Sequence, residues 1–181
     1  MAESSPPNAL RLFLALRPDP LARVALAVHA RYWTWGAQSV PHVPQDWHLT
    51  LHFIGPVPQS QCDALANALD VPMAPFELSF GEAALWPHGV AVLLPLAMPH
   101  ALLQLQAQLG ERLRAQGLRT DTRPYRPHIT LARHAQQAQP PAPNLVPPWR
   151  WPVCSYALMA SNPLPAPARY RVLRQYGAAS A

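Results

Sequence analysis

A chain of 181 residues, half of them hydrophobic and 13% charged, can bury a sizeable core, which excludes a mainly disordered protein. Its 14 basic side chains are all arginines, set against 9 acids for a formal net charge of +5; this favours an anionic partner and suits RNA, although coding bias alone would also replace lysine. Two cysteines, Cys62 and Cys154, lack the number for a disulfide scaffold and the spacing for a zinc site, and the short apolar run after Arg11 reaches neither a signal-peptide core nor a membrane span, so buried free thiols and a cytoplasmic protein without a membrane partner are expected.

In chain order, "ALRLFLAL" (9–16) is compact and apolar enough for a buried strand. A helix follows in "RPDPLARVALAVHARYW", with Asp19 as N-cap and Pro20 at the first helical position. After the polar break "PHVPQD", "WHLTLHFIG" (47–55) reads as a strand closed by Gly55 and Pro56, and "SQCDALANAL" as a shorter helix. "FELSFGEAALWPHGVAVLLPL" (76–96) predicts a hairpin or meander turning at Pro87-His88-Gly89. Leu102, Leu105, Leu109 and Leu113 then form one apolar helical stripe, with Gly117 placed for the C-terminal cap. "HITLARH" is a further strand, the proline-rich "AQQAQPPAPNLVPPW" a surface connection, and "WPVCSYALMAS" and "RYRVLRQYG" two closing strands.

His-x-Thr-Leu is written twice, at His48 and eighty positions later at His128. The same offset superposes Leu12–Leu16 on Val92–Leu96 and the helix near Leu21 on the helix near Ala101, so each half reads strand, helix, motif strand. Such a repeat predicts two similar lobes whose motif strands meet at a shared cleft.

Alternation along a strand turns His48 and Thr50 to one face and Leu49 and Leu51 to the other; His128 and Thr130 stand against Ile129 and Leu131 in the same way. Two imidazoles with ordinary pKa near 6.5 can work as base and acid at neutral pH. Threonine hydroxyls can donate to phosphoryl oxygens, and Arg133 can neutralise charge developing on phosphorus. Zinc binding by His48 and His52 is disfavoured, because four residues along a strand separate them by roughly 13 Å; no metal is expected. His52 and His134 share the motif parity but read as ordinary exposed strand-end histidines, and His29, His42, His88 and His100 carry no pattern. Trp86, Trp149 and Trp151 read as packing aromatics, Trp86 being also a candidate for a ligand wall.

"RLFLAL" before a proline-containing helix start, "WHLTLHFIG", the arginine-followed "RPYRPHITLARH", and the closing "WPVCSYALMAS" and "RYRVL" resemble the two-histidine (2H) phosphoesterases. Within them they are most similar to the bacterial RNA 2′,3′-cyclic phosphodiesterases, also known as 2′-5′ RNA ligases. The resemblance covers nearly the whole chain. It implies an α+β fold of two pseudo-symmetric lobes, each an antiparallel sheet with helices on its outer face, flanking a positively charged cleft; residues 1–181 would form one domain of two intertwined lobes. It also implies hydrolysis of 2′,3′-cyclic phosphate ends to 2′-phosphomonoesters, accompanied by a reversible 2′-5′ RNA ligase activity. His48 is then the proton donor, His128 the proton acceptor, and Thr50, Thr130 and Arg133 the phosphate ligands. Phe53, Tyr125 and Arg126 are the expected base or substrate contacts. The implied protein is a monomer, needs no cofactor, and takes RNA or a nucleotide ending in a 2′,3′-cyclic phosphate. Trp86 in "LWP", His52 and the long proline-rich connection depart from the family pattern. Two other functions remain open on the residues: a phosphodiesterase for small cyclic nucleotides or 2′-5′ linked oligonucleotides, and an RNA-binding module without turnover.

Overall fold

The computed structural model describes residues 8–161 and 168–177. Its elements are β1 (Ala9–Leu16), α1 (Pro20–Ala30), β2 (Val40–Pro41), β3 (Leu49–Pro58), α2 (Cys62–Ala68), β4 (Phe76–Trp86), β5 (Val90–Pro95), α3 (His100–Ala115), β6 (Ile129–Arg133), β7 (Trp149–Val153), β8 (Ser155–Ser161) and β9 (Tyr170–Gly177). Asp19 caps α1 by accepting the Ala22 N–H at 2.7 Å. Gly117, at φ +72°, ends the turn after α3 as the sequence expects, because that left-handed position is nearly free only for glycine. His88 and Gly89, both at positive φ, make the turn that joins β4 to β5.

All strand pairings are antiparallel and join into one sheet in the order β7-β4-β5-β6-β3-β1-β8-β9, with β2 pairing on β6. The fold is α+β. β3 and β6 meet at the middle through Leu49 and Ile129, and the elements related by the eighty-residue offset, β1 with β5 and β3 with β6, stand on either side of that junction. The motif strands are thus hydrogen-bonded neighbours, a closer relation than two walls facing across a cleft.

The sequence predicts a single closing strand in residues 151–161. "WPVCSYALMAS" is not one strand: it breaks at Cys154, so that β7 pairs with β4 while β8 pairs with β1. A single residue spans little more than two Cα steps of about 3.8 Å, so the sheet must curl until its β7 and β8 regions adjoin.

The main core holds Leu12, Leu14 and Leu16 of β1 against Leu26 of α1, Leu65 of α2, and Leu102, Leu105, Leu109 and Leu113 of α3. Each of these leucines contributes about 1.5–3 kcal/mol by leaving water. The alternate residues Phe13 and Ala15 belong to a second, smaller cluster with Ala157 and Met159, which Tyr170 and Val172 flank. Burial on both faces is why β1 reads as an unbroken apolar run rather than an alternating one. Cys62 is a buried free thiol as expected, whereas Cys154 is only half-buried.

Candidate active site

β3 begins at Leu49 and β6 at Ile129, so each motif histidine is the residue just before its strand. Leu49 pairs with Ile129 in antiparallel sense. That register puts His48 beside Thr130 and Thr50 beside His128, four polar side chains on one face at neighbouring positions, with pairs directly opposite about 5 Å apart at Cβ. Leu49, Leu51, Ile129 and Leu131, all 3% exposed or less, anchor the other face.

Alternation then fails at a bulge. Ala15 pairs with Thr50 but Leu14 pairs with His52, which leaves Leu51 as the extra residue on β3. The parity reverses, so Phe53 and not His52 joins the face of Thr50. Phe53 is 53% exposed, while His52, expected at the surface, is buried on the core side of the strand. The His52 Nε2–H donates to the Gln106 carbonyl of α3 at 2.7 Å, and a side chain at Gly110 would come within 3.2 Å of the His52 ring, which accounts for a glycine inside that helix. His134 is exposed, as expected.

The two motif imidazoles are held alike. His48 Nδ1 bonds the carbonyl of Asp46 at 2.6 Å, and His128 Nδ1 bonds the carbonyl of Arg126 at 2.8 Å. A carbonyl only accepts, so each Nδ1 carries a proton and each Nε2 is left to exchange one with a ligand. Burial pushes His48 down to about 4, with repulsion from His128 and Arg133 adding to it and the Asp46 carbonyl opposing it. His128 is also lowered, first by burial and then by Arg133 and Arg126, against the pull of the Arg126 carbonyl.

Their surroundings differ. His48 sits between Phe13, whose ring centroid is 4.9 Å away, and Tyr170, edge-on at 5.0 Å. His128 touches Trp86 at 4.4 Å, and the Arg126 guanidinium lies 5.5 Å from the centre of the Trp86 ring. Beside His128 opens a cavity of about 670 Å³ whose wall includes Thr50, Phe53, Trp86, Tyr125, Arg126 and His128. Among the expected site residues His48, Thr130 and Arg133 stand outside that wall. Thr130 is brought in by its place in the register, and Arg133 by its electrostatic reach to both histidines from the end of β6, opposite Val40. Arg11 covers one face of Phe53 at 5.5 Å. The Tyr125 hydroxyl donates to the Thr50 carbonyl at 3.1 Å, fixing β3 while its ring lines the cavity.

Sequence reading missed Phe13, Tyr170, Asp46 and the burial of His42. Phe13 looks like any core residue until the second face of β1 is known. His42 is 5% exposed with neither ring nitrogen hydrogen-bonded among the described residues, and burial, then Arg169, Arg133 and His48, hold it at about 4. Trp86, foremost a packing aromatic in the sequence, lines the cavity; Trp149 and Trp151 do pack, stacking on Phe80. Among the described residues, no group of three or more His, Cys, Asp or Glu side chains is arranged to hold a metal ion. No helix among them is long and apolar enough to cross a membrane.

Such a face can bind an anion between two threonines and an arginine, and pass protons through two Nε2 atoms. The family profile described as the 2′-5′ RNA ligase superfamily matches residues 18–163. The chain is 31% identical over 141 residues to the RNA 2′,3′-cyclic phosphodiesterase of Escherichia coli (strain K12), covering 75% of this chain and 78% of that protein. It is 31% identical over 147 residues to the RNA 2′,3′-cyclic phosphodiesterase of Thermus thermophilus, covering 75% and 74%. Its fold matches the crystal structure of E. coli LigT complexed with 3′-AMP with a TM-score of 0.77 at 27% identity, over 93% of this chain and 98% of that one.

Proposed function

Because the chain belongs to the 2′-5′ RNA ligase superfamily, we propose that it is an RNA 2′,3′-cyclic phosphodiesterase in which His48 and His128 do the proton transfers. The observation that carries this reading is the pairing of Leu49 with Ile129, which sets both His-x-Thr motifs side by side on one face. The substrate is an RNA or nucleotide ending in a 2′,3′-cyclic phosphate. Thr50, Thr130 and Arg133 bind the phosphate oxygens, and the terminal base enters the cavity between Phe53 and the Trp86–Arg126 stack, with Tyr125 completing the wall.

His128 Nε2 takes a proton from water as its oxygen attacks phosphorus. The bond from phosphorus to the 3′ oxygen breaks, and His48 Nε2 delivers a proton to that oxygen, leaving a 2′-phosphomonoester. Each histidine keeps its Nδ1 proton on a carbonyl throughout, so neither ring has to turn over. Left to themselves, burial and repulsion from Arg133 hold both imidazoles neutral at pH 7. A bound phosphodiester reverses this locally: its negative charge favours the His48 imidazolium, so the acid proton is taken up as substrate arrives. With an RNA 5′-hydroxyl attacking in place of water, the same displacement of the 3′ oxygen gives a 2′-5′ phosphodiester, which is ligation.

We read the whole chain as one domain of two intertwined lobes joined at β3 and β6, a monomer working in the cytoplasm. The repeated order of elements on either side of the junction supports the lobes. A panel of a cyclic-ended oligoribonucleotide, a mononucleoside 2′,3′-cyclic phosphate, a 3′,5′-cyclic nucleotide and a 2′-5′ linked dinucleotide, each with a chelator, tests the reading. Turnover of the first above all others is expected; preference for either of the last two moves the protein to another phosphodiesterase activity, and no turnover of any leaves a binding module.

A further inference from the structure

The turn before His48 is tied to the start of β9 by a side chain that the proton transfers do not use. Asp46 closes a 3₁₀ turn over Pro44–Asp46 and is 2% exposed. A carboxylate so far from water costs several kcal/mol unless its oxygens are hydrogen-bonded. Asp46 Oδ1 accepts the main-chain N–H of Arg169 at 2.8 Å, and the Tyr170 N–H bonds the same carboxylate. The Asp46 carbonyl is the acceptor of the His48 Nδ1 proton. One residue therefore grips the imidazole through its main chain and β9 through its side chain. What it grips on β9 is the residue whose ring stands edge-on to His48 at 5.0 Å and to Phe13 at 5.1 Å. The other motif is held differently: Arg126, which plays the carbonyl role for His128, is exposed, with its guanidinium on Trp86.

We propose that Asp46 is a positioning residue for His48: its carboxylate fixes both the carbonyl that holds Nδ1–H and the Tyr170 ring that blocks rotation, so that Nε2 stays turned to the phosphate. This rests on the reading that His48 takes part in the reaction. It is a role of the side chain, separable from the carbonyl, which every substitution at 46 retains.

Nitrogen-15 NMR of the histidine imidazoles, in the full chain and in Asp46→Asn, Asp46→Ala and Tyr170→Leu, tests it alongside steady-state kinetics on a cyclic-ended oligoribonucleotide. The wild type should show His48 as a single Nδ1–H tautomer. Asp46→Ala should mix the tautomers and lower kcat about ten- to a hundredfold at nearly constant KM, as a misplaced reacting group does. Asp46→Asn, which keeps one acceptor oxygen, should fall between. A folded Asp46→Ala protein with the wild-type tautomer, or with wild-type kcat, overturns the proposal. If Asp46→Ala does not fold, Tyr170→Leu cuts the far end of the latch and is read in the same way. The spectra need no substrate, so a wild type with an intact latch that cleaves no cyclic phosphate would refute the catalytic reading instead.

Discussion

The two His-x-Thr motifs are alike in letters and unlike in setting. His48 is enclosed: Phe13 and Tyr170 box its ring, Asp46 latches the turn before it, and burial drives it down to about 4. His128 borders the open cavity and shares its wall with Trp86 and with Arg126, which stacks on that indole. Identical tautomers in unequal enclosures show how a duplicated motif can divide its labour. The boxed copy suits a group whose proton is called up by the bound anion, and the open copy suits the group that meets water and lies beside the base. On the proposed reading the motif supplies the chemistry, and the packing around it divides the roles.

The hardest test of this contrast is to remove each imidazole in turn. His48→Ala and His128→Ala should each lower kcat/KM by about a thousandfold or more with folding retained by circular dichroism, the usual scale for losing a general acid or base. Near-normal turnover in either breaks the account. A cyclic substrate with sulfur at the 3′ bridging position separates the two roles, because a thiolate leaves without a proton. His48→Ala should recover most of its loss on that substrate and His128→Ala should not; the opposite pattern exchanges donor and acceptor.

Smaller effects should fall on opposite sides of the site. Trp86→Ala and Phe53→Ala should raise KM for a cyclic-ended oligonucleotide about five- to a hundredfold, the range for lost base stacking, with less change in kcat. Equal effects on kcat would place the base elsewhere. Arg133 holds both histidines down, so Arg133→Gln should move the whole pH profile of kcat/KM upward while lowering its height; an unmoved profile would detach Arg133 from the pair. The smallest effect lies in stability. His42 and His48 have folded-state values near 4, below the ordinary 6.5. The unfolded chain therefore binds protons that the folded one refuses, and stability present above about pH 6.5 is lost as pH falls toward 4. His42→Leu should lose less Tm between pH 7 and pH 5 than the wild type, and an equal loss would mean that His42 does not titrate as its burial requires.

Much of this was legible in the residues. The Asp19 cap, the four-leucine stripe of α3 and the Gly117 stop depend on local rules, and each stands where the sequence puts it. The polar faces of the motifs followed from alternation over the two or three residues that precede any irregularity. What stayed hidden depends on partners far along the chain. The bulge at Leu51, set by the pairing with β1, turned His52 inward and Phe53 outward. The break at Cys154 follows from the curl of the whole sheet, and the enclosure of His48 needs β9, which Asp46 reaches across 123 residues of chain. Asp46 could have been suspected only as an acid two positions before a motif histidine.

The central claim is that both motifs act together on one cyclic phosphate. It is met most directly by phosphorus NMR of an oligoribonucleotide with a 2′,3′-cyclic phosphate end, incubated with the protein and a chelator, in parallel with His48→Ala and His128→Ala. The account predicts a 2′-phosphomonoester from the wild type and an untouched cyclic resonance with either variant. A 3′-phosphate product, or equal cleavage by a variant, would contradict it.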